Sequence, residues 1–209
     1  MGDTVHKVLV FVITFLGYAS LHALREGWSF SKTELQDDVH VGKNLLGWVD
    51  ALYLLSYSVG MAVLGSFIHR VSLKKYIIVG LICSSLSYML FAFIYALTKW
   101  FNPVFMVFCM CINGFFQATG WPGLMGIMGN WFEKKKKGAL LGVWALNANA
   151  GNLIGLNLCN VLSNHGISWV WNFFLTGLLA MLVALLSVFF LKEKPTQTES
   201  ILTEEPEGA

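Results

Sequence analysis

Charge is what this chain has least of. Only 12% of its 209 residues are Asp, Glu, Lys or Arg, where soluble domains average about a quarter, so most of the polypeptide is not built to face water. Cysteine is sparse as well. Cys83, Cys109, Cys111 and Cys159 all fall inside apolar runs with no loop partner, which excludes a disulfide framework as the organising principle. Cys109-x-Cys111 lacks the spacing of a common metal site and reads as two small residues facing lipid or a neighbouring helix, so no metal is expected. The sequence also offers no nucleophile-base pair and no phosphate-binding glycine loop. An enzyme is therefore not expected, and no cofactor is implied. The net charge of +2 is too small to suggest a nucleic-acid partner.

What the chain has is hydrophobic length. Apolar stretches run near Val8 to Leu24, Leu45 to Ile68, Tyr76 to Leu97, Phe101 to Phe132, Gly138 to Leu162 and Trp169 to Leu191. Each is near or above the roughly 20 residues that span a bilayer. The expected fold class is an all-α membrane protein of six transmembrane helices. Residues 1–194 form the bundle, and 195–209 form an acidic, polar tail whose composition predicts disorder.

The basic residues predict orientation. Lys7, then Arg70, Lys74 and Lys75, then Lys134 to Lys137, then Lys192 and Lys194 share one side if every stretch spans. By the positive-inside rule both termini are then cytoplasmic. The first run could be mistaken for a signal peptide, but Tyr18, His22 and Arg25 suit that poorly and no small-x-small cleavage site follows. It is expected to remain as the first span.

The stretch from Asn113 to Phe132 carries Gly120, Gly123, Gly126 and Gly129 around Gln117 and Pro122. In lipid, small residues let helices approach closely, so these glycines predict helix packing. Pro122 predicts a kink that frees a backbone carbonyl and faces protein, or, on a plainer reading, a kinked packing helix. In the first run Tyr18, His22 and Arg25 are spaced by four and three, on one helical face. Two readings of Arg25 stay open: it reaches the headgroups by snorkelling, or the helix continues and leaves it below the surface. Ser31 to Asn44 reads as a polar loop on the non-cytoplasmic side. Asp50 reads as lying near the start of the second helix, in a capping or interfacial role. Asn147, Gly151 and Gly155 form one stripe on the fifth run, and its amides suit substrate hydroxyls or interhelical hydrogen bonds equally. The serines of the third run read as a packing face.

Gly17-Tyr18-Ala19-Ser20-x-His22-x-x-Arg25, Asn113-Gly114, Gln117, Gly120-Trp121-Pro122, Trp131-Phe132, the lysine block, Gly138 and Trp144 through Gly151 together resemble the organophosphate:phosphate antiporters. That family lies within the major facilitator superfamily, and His22 resembles its eukaryotic sugar-phosphate exchanger branch. The resemblance implies one half of a major facilitator fold. It implies that Arg25 binds substrate phosphate while Tyr18, His22, Gln117 and Asn147 shape the cavity. A phosphorylated small molecule and inorganic phosphate would be the exchanged partners, in the endoplasmic reticulum or another organelle membrane rather than the plasma membrane. The chain departs from the pattern in several places. Glu26 stands where the family usually has Lys, and Met61 stands where bacterial members have Lys, as it does in the eukaryotic branch. His69 replaces the acid of the cytoplasmic loop motif, Ser72 replaces its second glycine, and Ala148 replaces a bacterial histidine. The family's second phosphate-binding arginine lies in the half not represented. Transport would then need a homodimer or a separately encoded second half. The alternative is a non-transporting membrane subunit or a truncated product.

Overall fold

Among the described residues, six segments are long and apolar enough to cross a membrane: Thr4–Val39, Lys43–Phe67, Leu73–Thr98, Pro103–Trp131, Gly138–Asn164 and Val170–Phe190. In the computed structural model, which describes residues 3–132 and 137–195, two of these are broken, giving eight helices. They are α1 (Asp3–Val39), α2 (Lys43–Phe67), α3 (Leu73–Thr98), α4 (Pro103–Gln117), α5 (Gly120–Trp131), α6 (Lys137–Trp144), α7 (Asn147–Asn164) and α8 (Val170–Phe190). The acidic tail expected to be disordered lies, from residue 196 on, outside the described residues.

The polar loop expected from Ser31 to Asn44 is not there, because α1 continues without interruption to Val39. Its acidic residues explain the continuation. Asp38 accepts hydrogen bonds from Tyr95 at 3.2 Å and from the Trp169 indole at 2.9 Å, while Glu34 accepts from Asn172 at 3.3 Å. The polar face is thus tied to α3 and α8, although Asp37 and Asp38 remain exposed. α1 ends only at His40, whose φ of 56° places it in the left-handed region, a common helix stop. At 37 residues it is about 55 Å long, well beyond the ~30 Å of a hydrocarbon core.

Pro122 also acts elsewhere than expected. It sits in the first turn of α5, where a missing N–H costs nothing, and the break precedes it at Ala118 and Thr119. Thr119 satisfies the broken turn by donating both its N–H and its hydroxyl to the Phe116 carbonyl, at 3.1 and 2.8 Å. Ala118 and Thr119 are buried, so the break does face protein. A second break, at Ala145 and Leu146, divides the run read as one helix from Gly138 to Leu162. There the Leu146 N–H bonds three residues back, to Val143, tightening the turn.

Small residues set the helix crossings. Gly151 packs on the backbone of Ala19, and a Cβ at Gly155 would lie 2.8 Å from both the Ala23 carbonyl and the Glu26 Cβ. α7 therefore lies directly on α1. Gly123 and Gly126 of α5 pack on Ile77 and Leu73 of α3, and Gly120 packs on Leu21 of α1, the use the glycine run predicts. Between α1, α3 and α8 the rings of Tyr88 and Phe173 stack at 4.4 Å, and Tyr88 donates to the Leu24 carbonyl at 2.8 Å. Exposed apolar side chains lie on every span, those of α2 and α7 included. Leu54, Leu55 and Val59 of α2 and Leu153, Ile154 and Leu156 of α7 are exposed.

At the end of the bundle remote from His40, three segments meet. Ser72 caps α3 and donates to Glu193 at 2.6 Å, the Asn130 amide donates to the Glu193 carbonyl at 3.1 Å, and the Trp131 indole donates to the Lys192 carbonyl at 2.9 Å.

Candidate functional site

A hydrogen-bonded triangle joins three helices at the middle of the bundle. Arg25 of α1 donates through Nε to the Tyr53 hydroxyl of α2 and to Gln117 Oε1 of α4, both at 2.9 Å, and Tyr53 donates to the same Gln117 oxygen at 2.7 Å. Close backbone approach makes this possible. A Cβ at Gly114 would lie 2.6 Å from the Tyr53 carbonyl, so only glycine lets α2 come near enough for Tyr53 to reach Gln117. Gln117 is fixed from behind. Its Nε2 donates to Asn113 Oδ1 at 2.9 Å, and the Asn113 amide donates to the Ser84 carbonyl of α3 at 2.8 Å.

The guanidinium is also held face-on, with Cζ 4.9 Å from the ring centroid of Tyr57 and 5.7 Å from that of Tyr53. Cation–π contacts of this kind strengthen as water is removed. Nε is fully used, whereas neither terminal Nη group has a hydrogen-bond partner among the described residues. Of the two readings left open for Arg25, the continued helix is the one found. Arg25 does not snorkel to a helix end but lies against the middle of α2 and the C-terminal end of α4, at the break midway along the Pro103–Trp131 span.

Arg25 and Tyr53 line a cavity of about 360 Å³ together with Glu26, Trp28, Lys32 and Asp50. Asp50 is not a cap: α2 begins at Lys43, and Asp50, two turns in, accepts from the Trp28 indole at 2.7 Å and from Lys32 at 2.6 Å. A carboxylate between an indole and an ammonium is neutralised in place.

Tyr18 and His22 lie beside Arg25 on α1, but in a separate aromatic cluster. Their rings are 4.9 Å apart, and Tyr18 also meets Trp121 at 5.3 Å and Trp144 at 6.2 Å. His22 Nδ1 lies 3.1 Å from Asn152 Oδ1 of α7. Because a carbonyl oxygen only accepts, Nδ1 carries the proton and a neutral His22 presents Nε2 as an acceptor. Trp121 is 40% exposed, giving the cluster an open ring face. Asn147 stands apart from both groups. It is fully buried, and neither the oxygen nor the nitrogen of its side-chain amide has a hydrogen-bond partner among the described residues.

Of the five residues singled out in the sequence, Arg25 and Gln117 are thus in direct contact, Tyr18 and His22 adjoin them, and Asn147 is walled off on the α7 stripe. Tyr53, Tyr57 and Asn113 are the residues sequence reasoning missed as part of the site. The signal for two of them was present: Tyr53 and Tyr57 share one face of α2 at a spacing of four.

Comparison with known proteins places the chain in a family. The Major Facilitator Superfamily model matches residues 9–208. The Arabidopsis thaliana protein named "Putative glycerol-3-phosphate transporter 2" is 30% identical over 208 residues, covering 93% of this chain and 40% of its own length. The human "Glucose-6-phosphate exchanger SLC37A2" is 29% identical over 223 residues, covering 94% and 44% respectively. The "Sugar phosphate exchanger 3" of Gallus gallus is 30% identical over 198 residues, covering 80% and 39%. The chain therefore spans about two fifths of the length of the curated relatives it matches.

Proposed function

Since the chain belongs to the Major Facilitator Superfamily, we propose that it forms one six-helix wall of a membrane cavity exchanging phosphorylated small molecules for inorganic phosphate. The observation that carries the reading is the half-used guanidinium of Arg25. Tyr53 and Gln117 fix Nε, and the two Nη groups remain for a ligand. A planar fork held in this way suits the bidentate recognition of a phosphoryl group, and it avoids ordering the side chain on binding. The printed names of the relatives, which concern glycerol 3-phosphate, glucose 6-phosphate and sugar phosphates, support the same ligand class.

Transporters of this superfamily hold substrate between two six-helix halves near the membrane midplane. The exposed face of α2 and α7 is where a second half would stand. It is supplied by a second copy of this chain or by a separate membrane subunit, so that a facing cation completes the clamp begun by Arg25. Tyr18 and His22 line the route beside the phosphate site, and Asn147 enters it only if α7 moves relative to α1. Both termini are cytoplasmic in this reading, and the membrane is that of the endoplasmic reticulum or another organelle. The protein has no catalytic role.

Proteoliposomes loaded with inorganic phosphate test this directly. External labelled phosphate, glycerol 3-phosphate or hexose 6-phosphate is expected to enter in exchange. A second reading, a non-transporting membrane subunit, is favoured by one observation. The loop that carries an acid in relatives has His69 instead and is fastened through Ser72 to Glu193 of the same chain, which suits a fixed rather than a gating contact. Absence of all exchange, with or without a membrane partner, would leave that second reading.

A further inference from the structure

Four charged side chains line the 360 Å³ cavity: Arg25, Glu26, Lys32 and Asp50. Two of them neutralise each other, since Lys32 and Asp50 are paired at 2.6 Å. Arg25 is bonded only to neutral groups, a phenol and an amide. Glu26 has no hydrogen bond or ion pair among the described residues, although it is half-buried and its Cβ abuts the Gly155 backbone of α7. The wall thus presents one uncompensated cation and one uncompensated anion. They are adjacent on α1, so their side chains diverge by about 100° around the helix.

A half-buried carboxylate with no partner is stabilised when a cation meets it. A phosphomonoester dianion arriving alone at Arg25 would make the wall net negative and would be repelled by Glu26. A ligand that carries its own ammonium group satisfies both charges at once. The volume falls within the ~300–1,000 Å³ usual for small-molecule sites, enough to seat both ends of such a ligand in one cavity.

We infer that the cavity selects zwitterionic phosphomonoesters, with the phosphoryl group on Arg25 and a primary ammonium on Glu26, over esters lacking the amine. This rests on the phosphate reading above and narrows it to an aminated substrate class. No bond is made or broken. The selection is electrostatic, and a carboxylate near an ammonium in a partly desolvated site discriminates more strongly than it would in water.

The test compares glucosamine 6-phosphate with glucose 6-phosphate. Binding to the purified full chain is measured by titration calorimetry, and exchange is measured in phosphate-loaded proteoliposomes. Glucosamine 6-phosphate is expected to bind at least about tenfold more tightly and to exchange correspondingly better at low concentration, since an ion pair of this kind outweighs the tenfold step. Glu26→Gln, which preserves shape, is expected to abolish the preference and to strengthen inorganic phosphate binding, because the repelling carboxylate is gone. Glu26→Lys is expected to reverse it. Equal binding of the two esters, or a preference for glucose 6-phosphate in the unmodified chain, overturns the inference while leaving the phosphate reading standing. A preference that survives Glu26→Gln in a variant of unchanged melting temperature also overturns it. If neither ester nor phosphate binds, the phosphate reading fails and this inference fails with it.

Discussion

Arg25 and Gln117, 92 residues apart in sequence, meet at 2.9 Å through Nε and Oε1. The contact occupies Nε and leaves both Nη groups for an anion bound end-on. Arg25→Lys tests what that division of labour is for. A lysine can hold Gln117 or reach a phosphoryl group, but a single ammonium cannot do both in a planar fork. Losing one charge-assisted hydrogen bond costs about 1.5–3 kcal/mol, so phosphate exchange in proteoliposomes is expected to fall about ten- to hundredfold. Protein yield and melting temperature are expected to change little. Full exchange by the lysine variant would return Arg25 to a merely structural role.

The triangle predicts coupling between its two acceptors. Tyr53→Phe and Gln117→Leu should each weaken phosphate binding by about 1 kcal/mol, the net worth of a typical hydrogen bond. Because Tyr53 also donates to Gln117, the double variant should lose measurably less or more than the sum of the two. A double-mutant cycle by titration calorimetry gives the coupling energy, and additivity within error would show that Arg25 is oriented by something else.

Gly155 is expected to tolerate no side chain. The first atoms a Cβ meets include the backbone of Ala23, which cannot rotate away, and overpacking of this kind costs about 1–3 kcal/mol or more. Gly155→Val should lower the melting temperature in detergent clearly, whereas Gly142→Ala, with open space around it, should not. Similar melting for both variants would mean that α7 does not seat on α1 in this way.

Topology and assembly can be checked together in native membranes. Lysine placement predicts that a tag after Ala209 is cleaved by protease only from the cytoplasmic side, with the connector at residues 40–42 on the other. Leaving the Arg25 face bare to lipid would cost about 2.5–3.5 kcal/mol or more for the arginine alone. Cross-linking is therefore expected to capture the chain with a second copy or a membrane subunit through α2 and α7. A stable monomer in the native membrane would remove the facing wall from the proposal.

The number of spans was legible because length and apolarity are linear properties of a sequence, and each run is bounded by lysines or a polar turn. The loop assigned to residues 31–44 failed for a three-dimensional reason. Glu34 and Asp38 look solvent-seeking in sequence, yet their partners Asn172, Tyr95 and Trp169 sit on helices far along the chain. The kink at Pro122 was placed correctly to within one turn, but the proline starts a helix instead of bending one. At the site, Arg25 and Gln117 were legible as polar residues in apolar surroundings. For Tyr53 and Tyr57 the spacing of four showed a shared face but not what it meets, because an aromatic residue facing lipid and one facing a guanidinium look the same until α4 is laid against α2.

Gly27 gives the long first helix a fulcrum. A Cβ there would lie 2.8 Å from the Thr176 hydroxyl oxygen and 3.1 Å from that of Tyr88, so α1 seats closely on α3 and α8 at this point, and Arg25 lies two residues away, about 3 Å along the axis at 1.5 Å per residue. A tilt of about 10° pivoting there would carry the Val39 end some ~3 Å sideways and shift Arg25 by only ~0.5 Å, by lever-arm geometry at that rise. If the proposed exchange proceeds by such rocking, the arms of the lever open one side of the membrane or the other while an anion on Arg25 stays almost where it was, and the energy goes into moving helix ends, the Asp38 ties to Tyr95 and Trp169 among them, not into breaking and remaking the grip on the ligand.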